Sequence, residues 1–400
     1  MKTIDARTLD EQQGAALNLR ERAEAAAATA AKTAVAVDAQ ACFPQAAIDA
    51  ARGQRLMSIM VPRELGGEGA GLPQVVDVCY RLGRACASTG MIYAMHQIMV
   101  ACVLRHRRGV AWHERLLRRL CKEQMLLASS TTEGKGGGNV RASEAPIERS
   151  GGRIKLERRA TVISYGANAD AIVTTARRTA DAAASDQVLV AFVKDDYSLE
   201  PIMSWDTLGM RGTCSAGFTL KAEGESDQIL PDAYELIHPQ TMAPVAHITW
   251  ASVWTGVASA AVERAQAFTR NAARQSNGQL PPGAGHYTKA VASLATLRGL
   301  VASSTRKFEQ ARDDAATLVS LEFQTLINLT KVQASELAVE TVMNAMRACG
   351  LSGYRNDGDF SIGRHLRDVL SSPIMINNDR ILANVAAASL MSAVPSTLSN

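Results

Sequence analysis

Nowhere in this 400-residue chain do 18 uncharged apolar residues run together, and the opening MKTIDARTLDEQQG mixes acids with bases around no apolar centre. Neither a membrane span nor a secretory leader is expected. Cysteine is sparse and scattered. The seven residues Cys42, Cys79, Cys86, Cys102, Cys121, Cys214 and Cys349 are odd in number and never form Cys-x-x-Cys, which excludes a disulfide framework and a zinc ribbon and fits a reducing cytoplasm. No metal site is expected. Long blocks of one charge sign are missing too: 43 basic residues face 39 acidic ones for a formal charge of +4, too little and too dispersed for a nucleic-acid partner. There is no internal repeat. What remains is a chain 47% hydrophobic and 20% charged, long enough for two or three domains with real cores.

The texture changes twice along the chain. Residues 1–125 are rich in Ala, Leu, Arg and Glu at helical spacing. In LPQVVDVCYRLGRACAS, Val75, Val76, Cys79, Leu82 and Gly83 recur at steps of three and four. The low-complexity stretch AEAAAATAAKTAVAV is read as the first helix, because alanine is the best helix former. Residues 126–236 turn to short β-prone runs such as DAIVTTARR and DQVLVAFVK, punctuated by EGKGGGN, RSGGR and SYGAN, which predicts a β-sandwich or barrel. Helical texture returns over 237–400, where WASVWTGVASAAVERAQAFTRNAARQ and LINLTKVQASELAVETVMNAMRACG are each long enough for a bundle helix. The expected class is therefore an α+β multidomain protein: helical, then β, then a helical bundle.

Four motifs occur in order within this frame: VPRELGGEGAGL (61–72), TTEGKGGGNV (131–140), WDTLGMRGTCSAGF (205–218) and ACGLSGY followed by HLRDV (348–369). In order and spacing they resemble those of the acyl-CoA dehydrogenase superfamily over essentially the full chain. The resemblance implies an N-terminal helical domain, a middle β domain and a C-terminal four-helix bundle. It also implies FAD held between subunits of a homodimer or homotetramer. The same fold hosts flavin-dependent monooxygenases as well, so the fold is implied more firmly than the reaction.

The resemblance assigns residues as well. Thr131 and Thr132 resemble the donors that hold the pyrimidine edge of FAD. The neighbouring glycines leave backbone N–H groups unshielded, although Gly138 replaces a frequent serine of the family. Ser164 lies near a flavin-facing threonine position that by strict count is Ile163. Arg274 stands where an arginine reaches the FAD pyrophosphate of a neighbouring subunit, a task suited to a planar guanidinium. Gly350 and Gly353 resemble the segment that packs the adenosine end, with Arg347 where glutamine is common, and Asn378 joins the cofactor set.

The family's catalytic glutamate is missing. In RDVLSSPIMINNDR its position falls on Ile376, and the alternative position used by a subset of the family falls on Ile248. Neither residue accepts a proton. His247, beside Ile248, is the leading candidate base, and His96 on a helix expected to flank the acyl pocket is the second. Three functions remain open. The favoured one is oxidation of an acyl thioester carried by CoA or an acyl-carrier protein. Next comes a monooxygenase using O2 and reduced flavin from a separate reductase, and last a non-catalytic flavoprotein scaffold.

Overall fold

The structure, a computed structural model, describes residues 18–133 and 140–391. It begins with helix α1 (Leu19–Gln40), the alanine-rich segment. Asn18 caps it by a reciprocal pair: its side chain accepts the Glu21 N–H at 3.1 Å, and the Glu21 carboxylate accepts the Asn18 N–H at 2.9 Å. Ala23, Ala26, Ala30 and Ala34 are buried, so the alanines form the contact stripe of the helix. Helices α2 (Gln45–Gly53), α3 (Leu72–Ala85), α4 (Ala87–His106) and α5 (Ala111–Glu123) complete the N-terminal part. On α3 the inward face is Val75, Val78, Cys79, Leu82 and Gly83, with Val78 taking the place expected of Val76.

Among the described residues seven strands follow: β1 (Leu127–Ser130), β2 (Glu148–Ser150), β3 (Arg153–Ala160), β4 (Ala171–Arg177), β5 (Gln187–Val193), β6 (Tyr197–Met203) and β7 (Gly217–Glu225). They form two sheets, ordered β1-β4-β5 and β2-β3-β7-β6. β1 runs parallel to β4, with Ser130 opposite Thr174, and the other pairs are antiparallel. The sequence explains which sheet is covered. β4 and β5 are apolar nearly throughout and buried on both faces, whereas β3 alternates buried and exposed residues strictly and has one solvated face.

From Tyr234 the chain is helical again. One short turn (Tyr234–Ile237) widens into a π-turn (His238–Met242) and then becomes α6 (Ala243–Gln275). The long helices α7 (Ala284–Ala311) and α8 (Leu321–Cys349) pack with α6. After α9 (Gly363–Val369), α10 (Asn378–Ser389) lies against α8, completing the four-helix arrangement. Among the described residues two helical runs, α4 and Tyr234–Gln275, are long and apolar enough to cross a membrane by composition. Their most apolar windows are 89% and 94% buried inside the protein, so both are core helices.

Backbone-to-backbone contact joins the two helical parts. A Cβ on Gly256 of α6 would lie 2.3 Å from the Tyr80 carbonyl oxygen, and one on Gly83 of α3 would lie 2.5 Å from the Val253 carbonyl oxygen. Gly90 of α4 meets Gly83 just as closely, at 2.7 Å from its nitrogen. Only hydrogen fits at these three positions. Gly256→Ala is accordingly expected to cost about 1–3 kcal/mol through overpacking, read as a lower urea midpoint. An unchanged midpoint would contradict the contact.

Candidate active site

A cavity opens where the three parts of the chain meet. Helix α4 contributes Met95, Ile98 and Met99, and the end of β1 contributes Ser129 and Thr131. The π-turn and α6 supply His238, Met242, His247 and Trp250, while Ile376 enters from the loop before α10. The interior admits water-sized atoms over ≈ 60 Å³, room for a small ligand group rather than a single water. Its walls are mostly methionine, aliphatic and aromatic. No carboxylate lines it among the described residues.

Two imidazoles face this space because of the π-turn. His238 and His247 are nine residues apart, about two and a half turns of a regular α-helix, which would put them on opposite faces. Widening of the helix over His238–Met242 changes the phase, and both rings reach the cavity. A buried chain of bonds holds the π-turn. His106 Nδ1 bonds Asp232 Oδ2 at 2.7 Å, His106 Nε2 bonds Thr241 Oγ1 at 2.8 Å, and Arg108 secures Asp232 at 2.9 Å.

Both cavity histidines remain neutral near pH 7. Burial, assisted by the charge of Arg141, pushes the His238 pKa down to about 4. Burial pushes His247 down to about 3, only partly opposed by its contact with the Ile327 carbonyl. His247 Nδ1–H donates to that carbonyl at 3.2 Å. Its Nε2 therefore carries the lone pair and is left for the cavity.

The expected residues divide into those that border the cavity and those that do not. Thr131, His247 and Ile376 border it together, and Thr132 follows at the half-buried end of β1. His96 does not line it. This histidine is fully buried and both its nitrogens are engaged: Nδ1 accepts the Leu127 N–H at 3.0 Å, so Nε2 carries the proton and donates to the Met57 carbonyl at 2.8 Å. Ile248 is buried in α6 away from the cavity. Ser164 is buried in a hydroxyl chain in which Thr213 donates to the Met210 carbonyl and Ser215 donates to Ser164, each at 2.8 Å. That leaves the Ser164 O–H free to donate. Asn378 is engaged internally, accepting from Lys331 Nζ at 2.7 Å and donating to Ser335 Oγ at 3.0 Å. Arg274 is exposed at the end of α6 and forms no ion pair among the described residues. Gly350 ends α8 at a φ of +56° with open space around it, while Gly353 is packed against Cys349 and Met346 of its own chain. Gly138 lies outside the described residues.

Sequence reasoning missed His238 and Trp250. The signal for His238 was the pair of histidines in HPQTMAPVAH, which helical periodicity alone separates onto two faces. The residues present fit a flavin ring. Ser130 Oγ and the Trp250 indole N–H are buried without partners among the described residues. Of these, Trp250 lines the cavity with Thr131 and would offer a hydrogen-bonding group to the polar edge of such a ring, beside an apolar wall, whereas Ser130, between Ser129 and Thr131 on an extended strand, and Ser164 do not line it.

The burial of His96 has a consequence for stability. Its pKa falls from 6.5 to about 4 on folding, so the unfolded chain binds more protons in that window. The contribution is complete above pH 6.5 and is lost as pH falls toward 4. Urea midpoints measured across this range should fall with acidification, and the slope should be shallower by about one proton in His96→Gln. An identical slope in the variant would contradict the neutral, buried assignment.

Comparison with known proteins agrees with this architecture. Residues 13–124 match the family model of the acyl-CoA dehydrogenase N-terminal domain, and residues 240–391 match that of the C-terminal domain. Cyclohex-1-ene-1-carbonyl-CoA dehydrogenase of Geobacter metallireducens is 24% identical over 369 residues, 90% of this chain and 93% of that protein. A probable FMNH2-dependent monooxygenase, SfnC of Pseudomonas putida, is 23% identical over 319 residues, covering 76% of this chain and 78% of the relative. Among solved structures, FMN-bound TdsC from Paenibacillus sp. A11-2 superposes with a TM-score of 0.83 at 18% identity, over 95% of this chain and 99% of that one. With both terminal domains matched and the fold shared over 95% of the chain, the chain belongs to the acyl-CoA dehydrogenase family.

Proposed function

We propose that this protein is a flavin-dependent oxidoreductase that oxygenates a small apolar substrate in the cavity beside His238, His247 and Ile376. The observation that carries this reading is the chemistry of the lining. A dehydrogenase must remove the α-proton of its thioester. Here the described lining has no carboxylate, and its two imidazoles bind protons only near pH 3 to 4. Such groups are weak bases but good neutral hydrogen-bonding partners. Reduced flavin, when bound, would supply two electrons to O2, one atom of which goes to the substrate while the other leaves as water.

The chain's own residues then have simple roles. Met95, Met99, Met242 and Trp250 exclude water and hold an apolar molecule by area burial. His247 Nε2 accepts a hydrogen bond from substrate or cofactor. His238, with neither nitrogen bonded among the described residues, donates or accepts as the ligand requires. Arg274 would be the phosphate-binding cation for the flavin of a neighbouring subunit, consistent with its exposure. A homo-oligomer, implied by the family resemblance, is supported by large apolar side chains left exposed around the bundle, including Leu351, Tyr354 and Ile374.

Thioester dehydrogenation is the second reading, favoured by the near full-length similarity to the Geobacter dehydrogenase. Two measurements separate the two. In the first, the flavin-loaded protein is mixed anaerobically with a panel of acyl-CoA thioesters, and separately given reduced FMN, O2 and an apolar aromatic such as indole. Oxygenation predicts no bleaching by thioesters, but substrate-dependent oxygen uptake and a product heavier by one oxygen. It also predicts a rate without an imidazole limb between about pH 5 and 8, since both cavity histidines are already neutral there. Rapid bleaching of the wild type by a thioester would overturn it in favour of the dehydrogenase. Under the oxygenation reading, Ile376→Glu, which returns a carboxylate to the family's usual place, is expected to create thioester bleaching that the wild type lacks. The second measurement concerns cofactor retention. Arg274→Ala should weaken flavin binding about tenfold or more by removing a charge-assisted bond. Equal retention after dialysis would remove Arg274 from the site.

A further inference from the structure

The loop carrying Ile376 has an unusual backbone. Ile376 sits at φ +55° and Asn377 at φ +42°, and for a β-branched residue the left-handed region is a genuine outlier. Strain of this kind persists only where surrounding contacts over-determine it. Those contacts are present. The Asn377 N–H donates to the Ile374 carbonyl and the Asn378 N–H to the Pro373 carbonyl, each at 2.9 Å. The Asn377 side chain caps α10 by accepting from the Asp379 N–H at 2.9 Å.

Beneath the loop lies Lys331, completely buried in α8. Its ammonium forms no ion pair among the described residues and donates instead to Asn378 Oδ1 at 2.7 Å, with the Trp254 ring 5.9 Å away. Placing a cation at the N-terminus of α10 opposes the helix dipole, and burying it without a paired carboxylate is costly. Burial pushes its pKa down to about 8. The Glu336 carboxylate, which accepts from Asn378 Nδ2 at 3.4 Å, opposes that shift in part.

We propose that Ile376 is the specificity-determining residue of the cavity, its side chain held inward by a left-handed backbone that Lys331 and Asn378 clamp, so that it limits the size of the molecule admitted. Ile376 is well placed for this. It lines the cavity with Thr131, His247 and Trp250 and also packs with Val332, Ile381 and Val385. The loop that carries a base elsewhere in the family thus carries a steric stop, with Lys331 and Asn378 as its positioning residues. The inference rests on the cavity being the substrate site.

Two aromatic compounds with a common head group test it, because binding is read without turnover. Calorimetric titration with indole and 5-benzyloxyindole is expected to show the wild type preferring indole by at least ~10-fold. In Ile376→Ala and Ile376→Gly that preference should shrink to within about threefold. Thermal unfolding supplies an independent readout. On an ordinary backbone the glycine variant would be the less stable of the two, but at a left-handed position the order reverses. In a Lys331→Met background the order should return to ordinary, and the indole preference should relax even with Ile376 intact. Asn378→Asp, which keeps an oxygen for the ammonium, should preserve both. An unchanged preference in the Ala and Gly variants would overturn Ile376 as the stop. The ordinary order of stability in the wild-type background would overturn the clamp. Binding of neither compound to any variant would remove the substrate-site reading, and this inference with it.

Discussion

Three glycines on three helices set the geometry on which the site depends. Gly83, Gly90 and Gly256 let α3, α4 and α6 meet backbone to backbone, and a single methyl at Gly256 would force the helices apart. The cavity is lined from α4 on one side and α6 on the other, by Met95, Ile98 and Met99 against His247 and Trp250. Its width is therefore fixed by a contact made one to three helical turns away. Close packing of this kind is stiff, because an interior filled to crystal-like density transmits a displacement rather than absorbing it.

The π-turn governs the chemistry as the glycines govern the shape. An uninterrupted helix would carry His238 away from the face that presents His247. Instead the two imidazoles share one apolar chamber, and burial holds both neutral. A neutral imidazole pair next to isoleucine is poorly matched to abstracting a weakly acidic proton and well matched to holding an uncharged molecule still. Within one fold, the presence or absence of a single carboxylate on the loop before α10 thus shifts the balance of plausible reactions. Family membership alone does not determine that balance.

His96 shows how a residue type can mislead. Histidine on a helix flanking a pocket is a reasonable candidate for proton transfer, yet here the ring joins the Met57 carbonyl to the Leu127 N–H and ties the helical part to the first strand. Its neighbours Met95, Ile98 and Met99 line the cavity while the His96 ring is taken up by Met57 and Leu127. Which side of a helix buried all round meets a cavity and which meets another element is not a property of the helix. The partner packed against each face decides it.

By itself, the sequence determined the periodicities. Alanine and leucine stripes at helical spacing, strict alternation in RIKLERRA and apolar runs in β4 and β5 each allow one economical way of burying apolar surface, so the order of helical, β and helical parts was readable. Four motifs at matching intervals identified the family, and the resemblance put an isoleucine of the loop before α10 where a glutamate is usual. Tertiary structure decided what lies across from what. The convergence of His238 with His247 came from a π-turn that local periodicity does not announce. The burial of Lys331 beneath Asn378 came from contacts 47 residues apart, and the left-handed backbone of Ile376 came from a loop held at both ends. Local preference would have rejected that conformation, and it persists because long-range contacts outweigh the ~1–2 kcal/mol that it costs.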